Sequence, residues 1–332
     1  MFQMYYYLKN LSPTQQVGML FVIVFGVLLL ASVGAFLLSV REHGDEARAD
    51  FWRKELKSLD AMLRTSWLMV LVFWIGWAAG DWVALTLFAM VSFFALREFL
   101  TLSPTRLGDH RSLVLAFFVV LPVQYALVGG GHFDMFTVFI PVYVFLALPL
   151  ASALANDPLR FLERSAKLQW GIMVCIYGMS HVPAILMLKF PGYEGRSAFM
   201  VFFLVAVVQV CMVTQHIAAQ RMRRKPIAPA ISQSFNWDSW GLGVLVGSLF
   251  GALLAGITPW VPGTAFAAAF IACSAGALGH FVMKALKRDR GIPNWGAEGQ
   301  SVTGAGGLLD RVDALCFAAP VFFHSARWYF GV

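Results

Sequence analysis

The chain is short of charge. Only 13% of its 332 residues are Asp, Glu, Lys or Arg, while 59% are hydrophobic. A soluble domain carries about a quarter charged residues, so a water-surrounded globule of this size is excluded. Cysteine is scarce as well. Cys175, Cys211, Cys273 and Cys316 stand singly inside apolar runs, with no CxxC pair. That spacing excludes a disulfide framework and a cysteine-based zinc site, and leaves inert core thiols. No internal repeat and no low-complexity tract is present. The basic residues are spread over loops with few aromatics between them. The net charge of +7 therefore speaks for membrane topology and against a nucleic-acid partner. A single Lys9 precedes the first apolar run and no small-residue cleavage site follows promptly, so that run reads as a retained span.

What the chain does have is apolar runs close to the ~20 residues needed to cross a bilayer. They predict an all-α, polytopic integral membrane protein of about ten transmembrane helices, forming one domain over 1–332. The expected spans are 17–39, 66–79, 82–100, 112–128, 135–153, 168–188, 197–214, 241–256, 263–286 and 314–330. Pro122 is expected to kink the fourth, and the glycines of 241–256 to permit close helix packing. Residues 40–65 carry Phe51, Trp52, Leu56, Leu59 and Leu63 at helical spacing, which fits an amphipathic segment along the interface or a solvated connecting helix.

With ten spans, 40–65, 101–112, 154–167, 217–240 and 286–313 share one side and hold most of the Lys and Arg. The other side holds Lys9, Lys189 and Arg196. The positive-inside bias places the five basic stretches in the cytoplasm.

One long run gathers charge, glycine and polar residues between two apolar segments: 279–313. Lys287, Arg288, Asp289 and Arg290 come first, then Gly304, Ala305, Gly306 and Gly307, then Asp310, Arg311 and Asp313. Lys and Arg attract phosphate, clustered glycines let backbone N–H groups approach an anion, and two carboxylates can hold a divalent cation. At i and i+3 the two aspartates would share a helix face. Their alternative role is structural, pairing with Arg311 and Arg288 at a helix start. The basic residues could equally anchor the chain on anionic lipid. His181 and His280 lie in or near spans, where ionisable groups are candidates by default, although a packing histidine is the commoner case.

The order Lys287-Arg288-Asp289, Gly291-Ile292, Gly304, Gly306-Gly307, Leu309-Asp310-Arg311 and Asp313 resembles the C-terminal signature of the phosphatidate cytidylyltransferases, or CDP-diacylglycerol synthases. Phe317 to Phe323 is similar to that family's last span, and Ala95-Leu96-Arg97-Glu98-Phe99 to a pattern early in its members. The resemblance implies a CDP-diacylglycerol-synthase-like fold in a bacterial inner membrane. It also implies a reaction in which CTP and phosphatidate give CDP-diacylglycerol and pyrophosphate. Asp310 and Asp313 would be the catalytic, Mg²⁺-binding carboxylates. Lys287, Arg288, Arg311, Gly304, Gly306, Gly307, Arg224 and Lys225 would bind substrate.

The sequence departs from the family pattern at Cys211, Phe235, His280, Pro293, Asn294 and Ala305. Asp289, Asp238 or Glu298 would have to replace the missing acids. The alternative is a catalytically silent member that binds phospholipid, a partner protein or a second copy. A transporter ranks last, since no inverted pair of broken helices is visible.

Overall fold

The computed structural model describes residues 12–40, 63, 66, 67, 69–102, 106–222, 224–292, 294, 295 and 307–332. Among the described residues all regular structure is helical. In chain order the helices are α1 (Pro13–Val40), α2 (Met69–Ala79), α3 (Asp81–Thr101), α4 (Leu107–Gly129), α5 (Phe133–Ala153), α6 (Phe161–Met187), α7 (Ser197–Met222), α8 (Trp237–Ile257), α9 (Pro262–Arg290) and α10 (Leu308–Phe330). Eight are long and apolar enough to cross a membrane; α2 is short, and α10 carries charge at both ends. Each expected span coincides with one helix, and most helices run beyond the apolar stretch into polar residues. α7 continues eight residues past Thr214, and α6 begins at Phe161, inside the stretch expected to be a charged loop. The amphipathic reading of 40–65 falls almost entirely outside the described residues.

The chain divides into two compact units, one ending at Ala84 and one beginning at Leu85. In the first, aromatic rings join α1 to the stretch around α2. Phe21 meets Phe73 and Trp77 at 5.4 Å between ring centres, and Trp67 donates to Ser32 Oγ at 3.0 Å.

The second unit holds the residues of interest. α8 packs between α7 and α9, and α9 packs along α10. The small face of α8 permits this. A methyl group on Gly247 would stand 2.7 Å from Cys273 Sγ, and one on Gly251 would stand 2.4 Å from Ala269 Cβ. The four cysteines are buried free thiols, as their apolar surroundings predict. His181 is a buried packing residue whose Nδ1 meets the Tyr177 carbonyl at 2.7 Å.

Proline leaves a helix carbonyl without its usual i+4 donor, and neighbouring helices repair two such gaps. Pro141 frees the carbonyl of Thr137, which accepts from Tyr177 Oη at 3.3 Å. Pro149 frees that of Phe145, which accepts from Gln169 Nε2 at 2.9 Å. The irregularity expected at Pro122 takes the form of a π-turn over Ala116–Val120, just before it.

At one end of the bundle Arg164 ties two turns together. Its guanidinium reaches Asp157 Oδ2 at 2.6 Å and Asp109 Oδ1 at 3.2 Å, and Asp109 also accepts from the Arg106 amide. The hydrogen bond from Arg164 holds the Asp157 carboxyl below the usual carboxylate range. This group therefore stabilises the fold above the unfolded carboxylate pKa, and that contribution fades as pH falls through the depressed value. Arg164→Lys keeps the charge but loses the planar fork that serves two carboxylates. It is expected to destabilise by about 1 to 2 kcal/mol, read as a lower melting temperature in detergent.

Candidate functional site at the α9–α10 junction

α9 ends because Gly291 turns the chain with φ +67°, its N–H returning to the Arg288 and Lys287 carbonyls. Lys287, Arg288 and Arg290 sit in the last turn, where cations face the negative end of the helix dipole. α10 starts after Gly307 with an unusual cap. The N–H groups of Leu308 and Leu309 each donate, at 2.9 Å, to one oxygen of Glu98, 210 residues earlier on α3. Glu98 is buried, so it supplies the helix start with a carboxylate where an anion is favoured.

Both candidate aspartates have protein partners. Asp310 Oδ1 accepts from Lys287 Nζ at 2.7 Å, and its Oδ2 from the Trp295 amide at 2.7 Å. Asp313 Oδ2 lies 2.8 Å from His280 Nδ1, and its Oδ1 accepts from the Ala314 amide at 2.6 Å. The side chains of Lys287 and Asp310 are 13% and 14% exposed, and that of Asp313 only 4%. His280 and Lys287 lie two turns apart, about 10 Å along α9, while Asp310 and Asp313 are about 4.5 Å apart along α10. The long lysine stem spans that mismatch, and the shorter histidine does not have to.

The alternative in which Asp310 and Asp313 pair with Arg311 and Arg288 is therefore corrected, since the α9 side chains that reach them are Lys287 and His280. Arg288 is exposed, and Arg311 keeps a buried Nε with no hydrogen-bond partner. Gly307 adjoins the cap, whereas Gly304, Gly306, Ala305, Pro293 and Glu298 lie outside the described residues. Asp289 pairs with Arg290 at 3.1 Å and Asp238 with Arg224 at 3.4 Å. Lys225 is exposed. Arg224 lines a surface cavity of about 700 Å³ with Met222, Trp237, Asp238, Gly241, Leu242 and Leu245. The same loop reaches α9 through Phe235, which stacks on Phe281 at 4.3 Å, one residue from His280.

Among the described residues the donor set does not fit the expected Mg²⁺. A hard divalent cation needs several oxygen ligands. Here a lysine ammonium and an imidazole already face the two carboxylates, and no group of three His, Cys, Asp or Glu side chains gathers among the described residues.

Two residues with a part in this junction were not marked as site residues by the sequence. Glu98 carried a signal, a carboxylate in the last turn of an apolar run. Trp295 carried none; it is fully buried, stacks on Phe99 at 5.3 Å, and uses its backbone to hold Asp310. Glu98→Gln leaves one oxygen to serve two N–H groups. It is expected to destabilise α10 by about 1 to 2 kcal/mol, with faster amide exchange at Leu308 and Leu309 as the direct readout.

Residues 61–329 match the cytidylyltransferase family. The chain is similar to the uncharacterized protein YnbB of Escherichia coli (strain K12), 32% identical over 268 residues, covering 80% of this chain and 86% of that one. It is also similar to the phosphatidate cytidylyltransferase of Mycobacterium leprae (strain TN), 30% identical over 133 residues, 39% of this chain and 41% of that one. A third relative is the phosphatidate cytidylyltransferase of Aquifex aeolicus (strain VF5), 28% identical over 142 residues, 42% of this chain and 52% of that one. The match to these two enzymes spans about half of their length.

Proposed function

The chain belongs to the cytidylyltransferase family, and from that premise we propose that it works in phospholipid metabolism on a phosphatidate-like lipid phosphate and CTP, at the α9–α10 junction. The observation that carries this is the meeting of Lys287 and His280 of α9 with the two carboxylates of α10, beside an arginine whose Nε has no partner. Lys287, Arg288 and Arg311 would hold phosphate oxygens, with Arg224 and Lys225 meeting lipid headgroups at the membrane surface. We place this end of the bundle at the cytoplasmic face, on the positive-inside bias of its loops.

In the transfer reading, an oxygen of the lipid phosphate attacks the α-phosphorus of CTP. The bond to the β-phosphate oxygen breaks, and pyrophosphate leaves with its charge facing Lys287 and Arg311. A second reading, binding without transfer, is favoured by one feature: each carboxylate is already occupied by a protein side chain, Asp310 by the Lys287 ammonium and Asp313 by the His280 imidazole. Incubating the purified chain with labelled CTP and phosphatidate vesicles, with and without Mg²⁺, separates the two. A CDP-lipid product supports transfer. Vesicle capture that depends on Lys287 and Arg311, without product, supports the binding reading. Neither product nor lipid-phosphate binding would sink both.

A further inference from the structure

We propose that Tyr177, His181 and His324 form a site for one divalent transition-metal ion of the Zn²⁺ type, which joins α6 to α10. The site lies apart from the α9–α10 junction: His324 stands eleven residues beyond Asp313, about 16 Å further along α10. It neither needs nor supports the function proposed above. His181 is fully buried, and its Nδ1 meets the Tyr177 carbonyl at 2.7 Å. That contact puts the ring proton on Nδ1 and leaves a lone pair on Nε2. Packing against Phe136 and Phe323, at 4.6 and 5.2 Å between ring centres, accounts for the faces of the ring. It does not account for Nε2, which is buried without a hydrogen-bond partner. An imidazole oriented by a backbone carbonyl through one nitrogen, with the other nitrogen bare, is how a metal-ligating histidine is held.

The neighbours of His181 stand at ligand spacing. Ligand atoms about 2.0 to 2.1 Å from a tetrahedral ion are about 3.3 Å from each other, and two imidazoles sharing it have ring centres about 5 Å apart. His324 Nε2 and Tyr177 Oη are 3.4 Å apart, and the rings of His181 and His324 are 5.4 Å apart. A separation of 3.4 Å is long for a hydrogen bond to a ring nitrogen. Tyr177 Oη donates instead to the Thr137 carbonyl, which keeps a phenol lone pair for an ion. Two imidazoles and a phenol suit Zn²⁺, Co²⁺ or Cu²⁺, whereas Mg²⁺ and Ca²⁺ take carboxylate, carbonyl and water oxygens. The carboxylate closest along α5, Asp134, is held by Arg327, one turn beyond His324. His324 is exposed, Tyr177 half-buried and His181 buried, so an ion enters from the His324 side and leaves one position for water.

Co²⁺ titration of the full-length chain in detergent tests this, with the protein stripped by chelator and purified without a polyhistidine tag. One Co²⁺ per chain is expected, with the intense visible bands of a four-coordinate ion; Zn²⁺ should displace it and excess Mg²⁺ should not. Zn²⁺ should also raise the melting temperature of the intact chain. His324→Gln, at an exposed position, should weaken Co²⁺ about a hundredfold, at least the cost of losing a partner outside the ligand set, and abolish the Zn²⁺ shift in melting temperature. Tyr177→Phe should weaken Co²⁺ about tenfold and move its bands, because a neutral phenol is the poorest of the three ligands. His216→Gln, on the exposed face of α7, should change neither. Failure of the intact chain to bind Co²⁺, bands of a six-coordinate ion only, or affinity unchanged in folded His324→Gln overturns the site.

Discussion

Replacing His280 with Asp is expected to make the protein dependent on a divalent cation for its stability. Asp313 is almost wholly buried and His280 Nδ1 lies 2.8 Å from its Oδ2. Exchanging the imidazole for a carboxylate sets two acids in contact, and like charges at that distance cannot both ionise without help. Removing one partner of a buried pair costs about 3 to 5 kcal/mol, and adding repulsion does not lessen it. The variant should therefore melt well below the parent in chelator. It should recover in millimolar Mg²⁺, because two carboxylates and a nearby Asp310 are a donor set that a hard cation accepts. The parent, with lysine and histidine in place, should melt at the same temperature in chelator and in Mg²⁺. Thermal melts of both proteins in the two buffers are sufficient. Mg²⁺ stabilisation of the parent, or a variant as stable as the parent in chelator, would show that His280 does not stand in for a cation.

How far the fold was legible follows from what hydropathy measures. Apolar runs report the thickness of the membrane, and each of the expected spans found its helix. The runs do not report where backbone hydrogen bonding stops, so the helices were longer than the runs. Arg221 in α7, Glu163 in α6 and Arg288 in α9 are all helical and polar, because a helix keeps its bonding after it leaves the apolar layer. The 279–313 stretch was legible as a charged junction because its residue types are rare elsewhere in the chain. Its pairings were not. Lys287 with Asp310 and His280 with Asp313 depend on two helices lying face to face, and Glu98 acts across 210 residues. Spacing along the chain brings Arg311 next to Asp310 and Arg288 into the same stretch, but does not tell which α9 side chain faces each aspartate. Trp295 looked like any interfacial aromatic, since its contribution lies in a backbone amide and an unpaired indole N–H.

Gly307→Ala should be far more damaging than Gly291→Ala, for a reason that separates two uses of glycine. Gly291 has φ +67° with nothing within 4 Å of an added methyl, so alanine there meets only backbone strain, about 1 kcal/mol. Gly307 has φ −63° and ψ 153°, a conformation any residue adopts, but no space. An added Cβ would lie 2.3 Å from the Trp295 carbonyl oxygen, 2.5 Å from its carbonyl carbon and 2.7 Å from Glu98 Oε2. None of these can yield alone. Moving the Trp295 backbone withdraws the amide that holds Asp310, and moving Glu98 uncaps Leu308 and Leu309. A loss of about 3 kcal/mol or more is expected from overpacking and two disturbed buried carboxylates, together with loss of CTP and phosphatidate binding. Gly291→Ala should keep both ligands. Melting temperature and ligand affinity measured side by side give the contrast. If Gly307→Ala behaves like Gly291→Ala in both, the junction of Glu98, Trp295 and Asp310 does not hold the start of α10 as described.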